Sequence, residues 1–123
     1  MIFILGASGY IGNNIYKSFT EEGLAVAGTY FKKKKNGLIY FDICNMSLDK
    51  VELDKKIRYI IIASGINNNI DGSKKNWKNS YYVNVTKTKI VIDYCFENNI
   101  TPIYISSDGV FDGIKGKYKE IDK

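Results

Sequence analysis

Three evenly spaced glycines follow the apolar amino terminus: Met1-Ile2-Phe3-Ile4-Leu5 runs into Gly6-Ala7-Ser8-Gly9-Tyr10-Ile11-Gly12. A short strand that empties into glycines and then opens a helix is a narrow specification. Gly6 permits a tight turn, Gly9 lets the backbone approach a bound group with no Cβ in the way, and Gly12 lets helix and strand pack closely. The helix start adds unpaired N–H groups and positive potential, which suit a pyrophosphate. Gly6, Ser8, Gly9, Tyr10, Ile11 and Gly12 are the expected binding loop, with the side chain of Ile11 expected in the core.

The rest of the chain alternates strand and helix. Apolar runs at Ile2 to Leu5, Ala25 to Tyr30, Leu38 to Phe41, Tyr59 to Ala63 and Ile103 to Ile105 read as strands buried on both faces, as in a parallel sheet covered by helices. Ile11, Ile15 and Phe19 place one apolar stripe on a first helix, which Gly23 can close at its C′ position. A second helical stretch, from about Trp77 to Asn98, carries Tyr82, Val83, Ile90, Val91, Tyr94 and Cys95, and the single proline, Pro102, sits where that helix has stopped. The expectation is one α/β domain over residues 1–123, a doubly wound parallel sheet of the Rossmann type in the order 3-2-1-4-5. A flavodoxin-like sheet would show the same alternation, so the glycine loop has to separate the two.

Charge says less. The 18 basic residues against 13 acidic ones give +5, but most are dispersed lysines and only Lys32 to Lys35 form a run, so no nucleic-acid partner is expected. Cys44 and Cys95 lie far apart without CxxC spacing, and the chain has no histidine, so free thiols and no metal site are expected. The amino-terminal apolar run is too short for a signal core or a membrane span, which makes a cytoplasmic, membrane-free protein the expectation.

In dinucleotide sites an acidic residue at the end of the second strand holds the adenosine ribose hydroxyls. Thr29 or Tyr30 stands there instead, and Lys32 and Lys33 follow. A 2′-phosphate is then accommodated, unless the lysines are a solvated loop.

After the last helix comes Ile103-Tyr104-Ile105-Ser106-Ser107-Asp108-Gly109-Val110-Phe111-Asp112-Gly113. This segment resembles the S-[ST]-D-x-V-F-D-G segment of dTDP-4-dehydrorhamnose reductases, in the extended branch of the short-chain dehydrogenase/reductase superfamily, and the GxxGxxG spacing resembles that branch as well. The Gly28-Thr29 strand end, Asp42, Ala63-Ser64-Gly65 and Asn84-Val85 fall in the same order as in that family, over the whole chain. The resemblance implies that Ser107 is the catalytic serine that polarises the substrate carbonyl, with Ser106 beside it among the cofactor-binding residues. It implies that Asp42 and Ile43 lie beside the adenine, although an aspartate after a strand also serves as a turn residue. Ala63, Ser64 and Gly65 would pass under the cofactor, and Asn84 would tie its helix to the strand-four region. Tyr30, Lys32 and Lys33 complete the expected cofactor contacts. With no strand-two carboxylate and with Lys32 and Lys33 at hand, the expected cofactor is NADP, with NAD allowed, and the substrate the resemblance implies is a 4-keto nucleotide sugar.

The family's general acid is the tyrosine of a YxxxK pair downstream of that segment. The chain runs only through Tyr118-Lys119-Glu120-Ile121-Asp122-Lys123, which resembles the stretch before the pair. Tyr30-x-x-x-Lys34 matches formally but lies in the strand-two loop, at the adenosine end, and is a decoy. The 123 residues alone are therefore expected to turn over no sugar, the activity belonging to a longer parent that continues into YxxxK. Gly109 stands where rhamnose-type reductases commonly have tyrosine, which leaves open an epimerase or dehydratase of the superfamily. A non-catalytic nucleotide-binding module, as in the regulatory subunit of methionine adenosyltransferase, is the other alternative. The expected partners are a nucleotide-sugar substrate and a second copy of the chain.

Overall fold

The computed structural model describes residues 1–54, 56–66, 77–107, 111–119 and 121–122. Five parallel strands form one sheet: β1 (Ile2–Leu5), β2 (Val26–Tyr30), β3 (Ile39–Tyr40), β4 (Tyr59–Ile62) and β5 (Thr101–Tyr104), in the order β3-β2-β1-β4-β5. This is the doubly wound Rossmann topology read from the sequence. Alternation along the central strands supplies both faces. Phe3 and Leu5 of β1 join Ile60 and Ile62 of β4 in one cluster, and Ile4 and Ile61 face the other way. Each of these side chains contributes roughly 1.5–3 kcal/mol by leaving water, which makes β1 and β4 the rigid floor for anything bound at their carboxyl ends.

One face is covered by α1 (Tyr10–Glu21), whose Ile15, Tyr16 and Phe19 pack against the Ile4 cluster. Gly23 ends this helix with φ +73°: its N–H bonds Thr20 O and the Leu24 N–H bonds Phe19 O, the paired 5→2 and 6→1 bonds of a Schellman motif. The sequence stripe fails at one position. Ile11 is half exposed, because it sits in the first turn, where the helix rises off the sheet and borders a cleft.

The other face is covered by the second helical stretch, which is not uniform. α2 (Trp77–Tyr81) passes into a π-helical segment, Tyr82–Lys87, and then into α3 (Thr88–Glu97). The inward residues are Val83, Thr88, Val91 and Cys95, and the five-residue step from Val83 to Thr88 is the phase of the π turn. Both the Thr88 hydroxyl and its N–H donate to Val83 O, so the wide turn keeps its carbonyl satisfied. Tyr82 and Ile90, which the sequence pattern counted among the apolar positions, are exposed.

Burial on both faces holds for Phe3 to Leu5 of β1 and Ile60 to Ile62 of β4, but not for Tyr59 or the outer strands. β3 is reduced to two exposed residues, and Ile103 and Tyr104 of β5 are exposed. β5 also begins at Thr101, earlier than expected, and takes in Pro102. Thr101 and Ile105 donate inward to Arg58 O and Ile62 O, so the intervening Pro102 nitrogen faces outward, where the sheet needs no donor from it. Cys44 and Cys95 are both free thiols; Cys95 is fully buried and Cys44 only partly. No helix among the described residues is long and apolar enough to cross a membrane.

Candidate dinucleotide-binding crevice

The glycine loop lies where the strand order reverses between β1 and β4, the position at which open α/β sheets bind ligands. Gly6 takes φ +86°, and a Cβ there would stand 2.9 Å from Ser64 N and 3.0 Å from the Ala63 carbonyl. A Cβ on Gly12 would stand 2.3 Å from Gly6 O, so helix and loop touch backbone to backbone. Three of the loop's amides are already engaged, two of them by β2. Gly6 N–H donates to Thr29 Oγ1 at 2.9 Å, Ser8 N–H to Thr29 O at 3.2 Å, and Gly9 N–H to Gly6 O at 2.9 Å. The first bond within α1 is Asn13 N–H to Gly9 O, and no side chain caps the helix. The amides of Tyr10, Ile11 and Gly12 therefore point out of the first turn as donors for an anion.

Thr29, at the strand-two position where dinucleotide sites carry an acidic residue, is buried and its hydroxyl is committed to Gly6, a loop-holding role the sequence left unassigned. A hydroxyl beside a glycine at a strand end was the available signal: a Cβ on Gly28 would stand 2.4 Å from Ala7 Cβ, so this strand end is pressed against the loop. Tyr30 sets its ring edge-on to Tyr40 at 5.6 Å and lines none of the clefts described below.

A cavity of about 230 Å³ opens beside the loop. Of the expected cofactor residues it is lined by Gly6, Ser8, Gly9, Asp42, Ile43, Ala63, Ser64 and Gly65; Leu5, Thr29, Phe31, Phe41, Cys44, Ile66 and Val83 also line it, none of them an expected cofactor contact. Asp42 borders the cavity, but its carboxylate accepts from Cys44 N–H and the Asn45 side-chain amide, so it acts as a turn cap as well. Two further clefts continue from this cavity. One holds Ser8, Gly9, Tyr10, Phe31, Lys32 and Lys33. The other holds Ile11, Asn84, Tyr104, Ile105 and Ser107. Gly65 and Ile66 line all three.

Asn84 holds that shared wall. From the π turn its Oδ1 accepts Ile66 N–H at 2.8 Å and its Nδ2 donates to Ile66 O at 2.9 Å. Ser107 is exposed at the end of β5 and borders the cleft with Asn84, while the exposed Ser106 lines none of the three. Asp108, Gly109, Val110, Glu120 and Lys123 lie outside the described residues. Phe111 stacks on Tyr118 at 4.5 Å, and the Tyr118 hydroxyl donates to Asp112, which holds that carboxyl below the usual range.

The crevice fits a dinucleotide on two observations. No side chain at Gly6 or Gly12 fits without moving backbone, so the loop keeps the bare, close-packed start to α1 on which a pyrophosphate can lie. The buried Ser64 Oγ has no hydrogen-bond partner among the described residues and belongs to a residue lining two of the clefts.

Fold and crevice together define a Rossmann-type α/β domain with the architecture of the short-chain dehydrogenases/reductases. The chain belongs to the RmlD substrate binding domain family, which it matches over residues 1–123. It is 29% identical to a probable low-salt glycan biosynthesis reductase of Haloferax volcanii, over 98% of this chain and 42% of that protein. It is 25% identical to methionine adenosyltransferase 2 subunit beta of Xenopus tropicalis, over 95% of this chain and 35% of that protein. The chain thus spans less than half the length of either relative. Among solved structures, a hypothetical dTDP-4-dehydrorhamnose reductase from Sulfolobus tokodaii superposes with a TM-score of 0.84 at 24% identity, over 100% of this chain and 45% of that one. A UDP-glucuronic acid 4-epimerase from Bacillus cereus, solved with NAD, gives 0.80 at 18% identity, over 98% and 44%.

Proposed function

We propose that this chain is the NAD(P)-binding half of a sugar-nucleotide reductase that reduces a 4-keto nucleotide sugar. The observation that carries the reading is the crevice at the β1/β4 reversal, with the first-turn amides of Tyr10, Ile11 and Gly12, unpaired among the described residues, at the helix start beside it. Those amides hold the pyrophosphate, and the small residues Ala63, Ser64 and Gly65 let the ligand pass close over the end of β4. When bound, the nicotinamide exchanges a hydride with the sugar carbon. Ser107, at the end of β5, donates a hydrogen bond to the substrate carbonyl oxygen, and Asn84 keeps the wall between Ser107 and the loop in place.

The cofactor in this reading is NADP. Among the described residues lining the three clefts Asp42 is the one carboxylate, and it is occupied by its own turn, while Lys32 and Lys33 border the cleft beside Ser8 and Gly9. An exposed ammonium–phosphate contact contributes about 1 kcal/mol, or several-fold in affinity, and is screened by salt. Titration of the chain with NADP and NAD at low and high salt tests both levels. Binding of neither removes the reading; equal affinities, or a preference unchanged by Lys32→Ala with Lys33→Ala, remove the NADP assignment alone.

The second reading, a nucleotide-binding subunit without turnover, is favoured by the similarity to methionine adenosyltransferase 2 subunit beta along 95% of the chain. It predicts dinucleotide binding with no NAD(P)H consumption by the whole protein in the presence of 4-keto nucleotide sugars.

A further inference from the structure

We infer that Phe31 is the platform on which the nucleobase of the bound dinucleotide stacks; this rests on the dinucleotide reading and assigns it a residue for base recognition. Single exposed apolar side chains need no explanation, so exposure alone carries nothing here. Placement does. Phe31 directly follows the last residue of β2 and lines both the main cavity and the lysine-bearing cleft. The cavity it lines is walled by the apolar Phe41, Ile43 and Val83 as well as by the glycine loop, so a flat uncharged ring can lie against apolar side chains while its phosphates reach the loop.

The ring is also supported. It leans on Tyr40 with centroids 6.3 Å apart and planes at 35°, and Tyr40 is in turn braced by the edge of Tyr30. With that contact made, the Phe31 side chain is still 48% exposed. A ring held on one side offers its remaining surface at little entropic cost, and every base has a π-face to meet it. Since Phe31 is followed at once by Lys32 and Lys33, a base stacked there brings its own ribose alongside the two ammonium groups. The base, and not the pyrophosphate alone, is then a principal source of affinity.

The experiment is calorimetric titration of the chain with ADP, NAD and inorganic pyrophosphate, together with the fluorescence of 1,N6-etheno-ADP, whose emission falls when its base stacks. Phe31→Ala should weaken ADP and NAD by about tenfold or more. Phe31→Leu, which keeps apolar bulk without a π-face, should recover little of this, and Phe31→Trp should stay within about twofold of the parent. Pyrophosphate affinity and the melting temperature should be unchanged in all three. Unchanged ADP affinity in Phe31→Ala, a parallel loss of pyrophosphate binding, or full recovery by Phe31→Leu would each overturn the platform while the dinucleotide reading stands. A parent chain that binds neither ADP nor NAD would overturn both.

Discussion

The hydroxyl of Thr29 accepts the backbone N–H of Gly6 at 2.9 Å, while the carbonyl of the same residue accepts the N–H of Ser8 at 3.2 Å. One buried residue on β2 thereby fixes the entry to the glycine loop from two directions, and the loop's later amides are left for a ligand. Thr29→Val keeps the volume but strands the Gly6 N–H, an unsatisfied group that costs about 1–3 kcal/mol. Urea denaturation should show that loss, with weaker dinucleotide binding, and Thr29→Ser should restore most of both. A valine variant as stable as the parent would show that the bond contributes nothing.

Gly12 and Gly9 should differ sharply although both belong to the same motif. An added Cβ meets Gly6 O at 2.3 Å from Gly12 but at 3.2 Å from Gly9. Backbone cannot yield to the first contact as a flexible side chain would. Gly12→Ala should lose upwards of about 2 kcal/mol or fail to fold, and Gly9→Ala less than about 1 kcal/mol. Equal denaturation midpoints for the two variants would contradict the close approach of helix and loop.

If the proposed reductase reading holds, Ser107→Ala in a protein carrying this chain should lower kcat on the order of 10²-fold, the usual cost of removing one donor from a polarised oxygen. The dissociation constant for NADP should change little, because Ser107 borders the cleft beyond the glycine loop and not the main cavity. An unchanged kcat with the fold intact would return Ser107 to the role of a strand-end hydroxyl.

The two thiols should separate by reactivity. Burial pushes the Cys95 thiol up to about 11 from its ordinary 9.0, so the folded state disfavours the thiolate. The stability linked to this group is complete below pH 9.0 and is lost as pH rises toward about 11, because the unfolded chain ionises first. At pH 8 a disulfide reagent should label Cys44, which lines the cavity, at least about tenfold faster than Cys95. Bound dinucleotide should slow the Cys44 reaction. Comparable rates at both thiols would mean that the α3 face opens readily.

Much of this was legible because it is written in local sequence. The glycine loop, the Gly23 helix stop and the central strands follow from backbone sterics and apolar runs, and the Asn84 tie followed from family resemblance. What escaped depends on partners far along the chain. Thr29 faces a loop 23 residues away, and nothing in a β-prone run says which hydroxyl turns inward. The π turn escaped because a 3.6-residue period, carried through Tyr82–Lys87, puts the following residues out of phase and misassigns Ile90. Ile11 escaped because the first turn of a helix belongs to the crevice before it belongs to the core.

The outward-facing nitrogen of Pro102 bears on self-association. An edge strand with a full row of donors and acceptors is a template for any extended chain, including another molecule of the same kind. At the β5 edge of the described sheet, an incoming strand would find no proton to accept at Pro102 and would meet a pyrrolidine ring in the plane of the ladder. Replacing that proline by an ordinary residue would complete the row, so one ring makes indiscriminate strand addition along this edge less favourable.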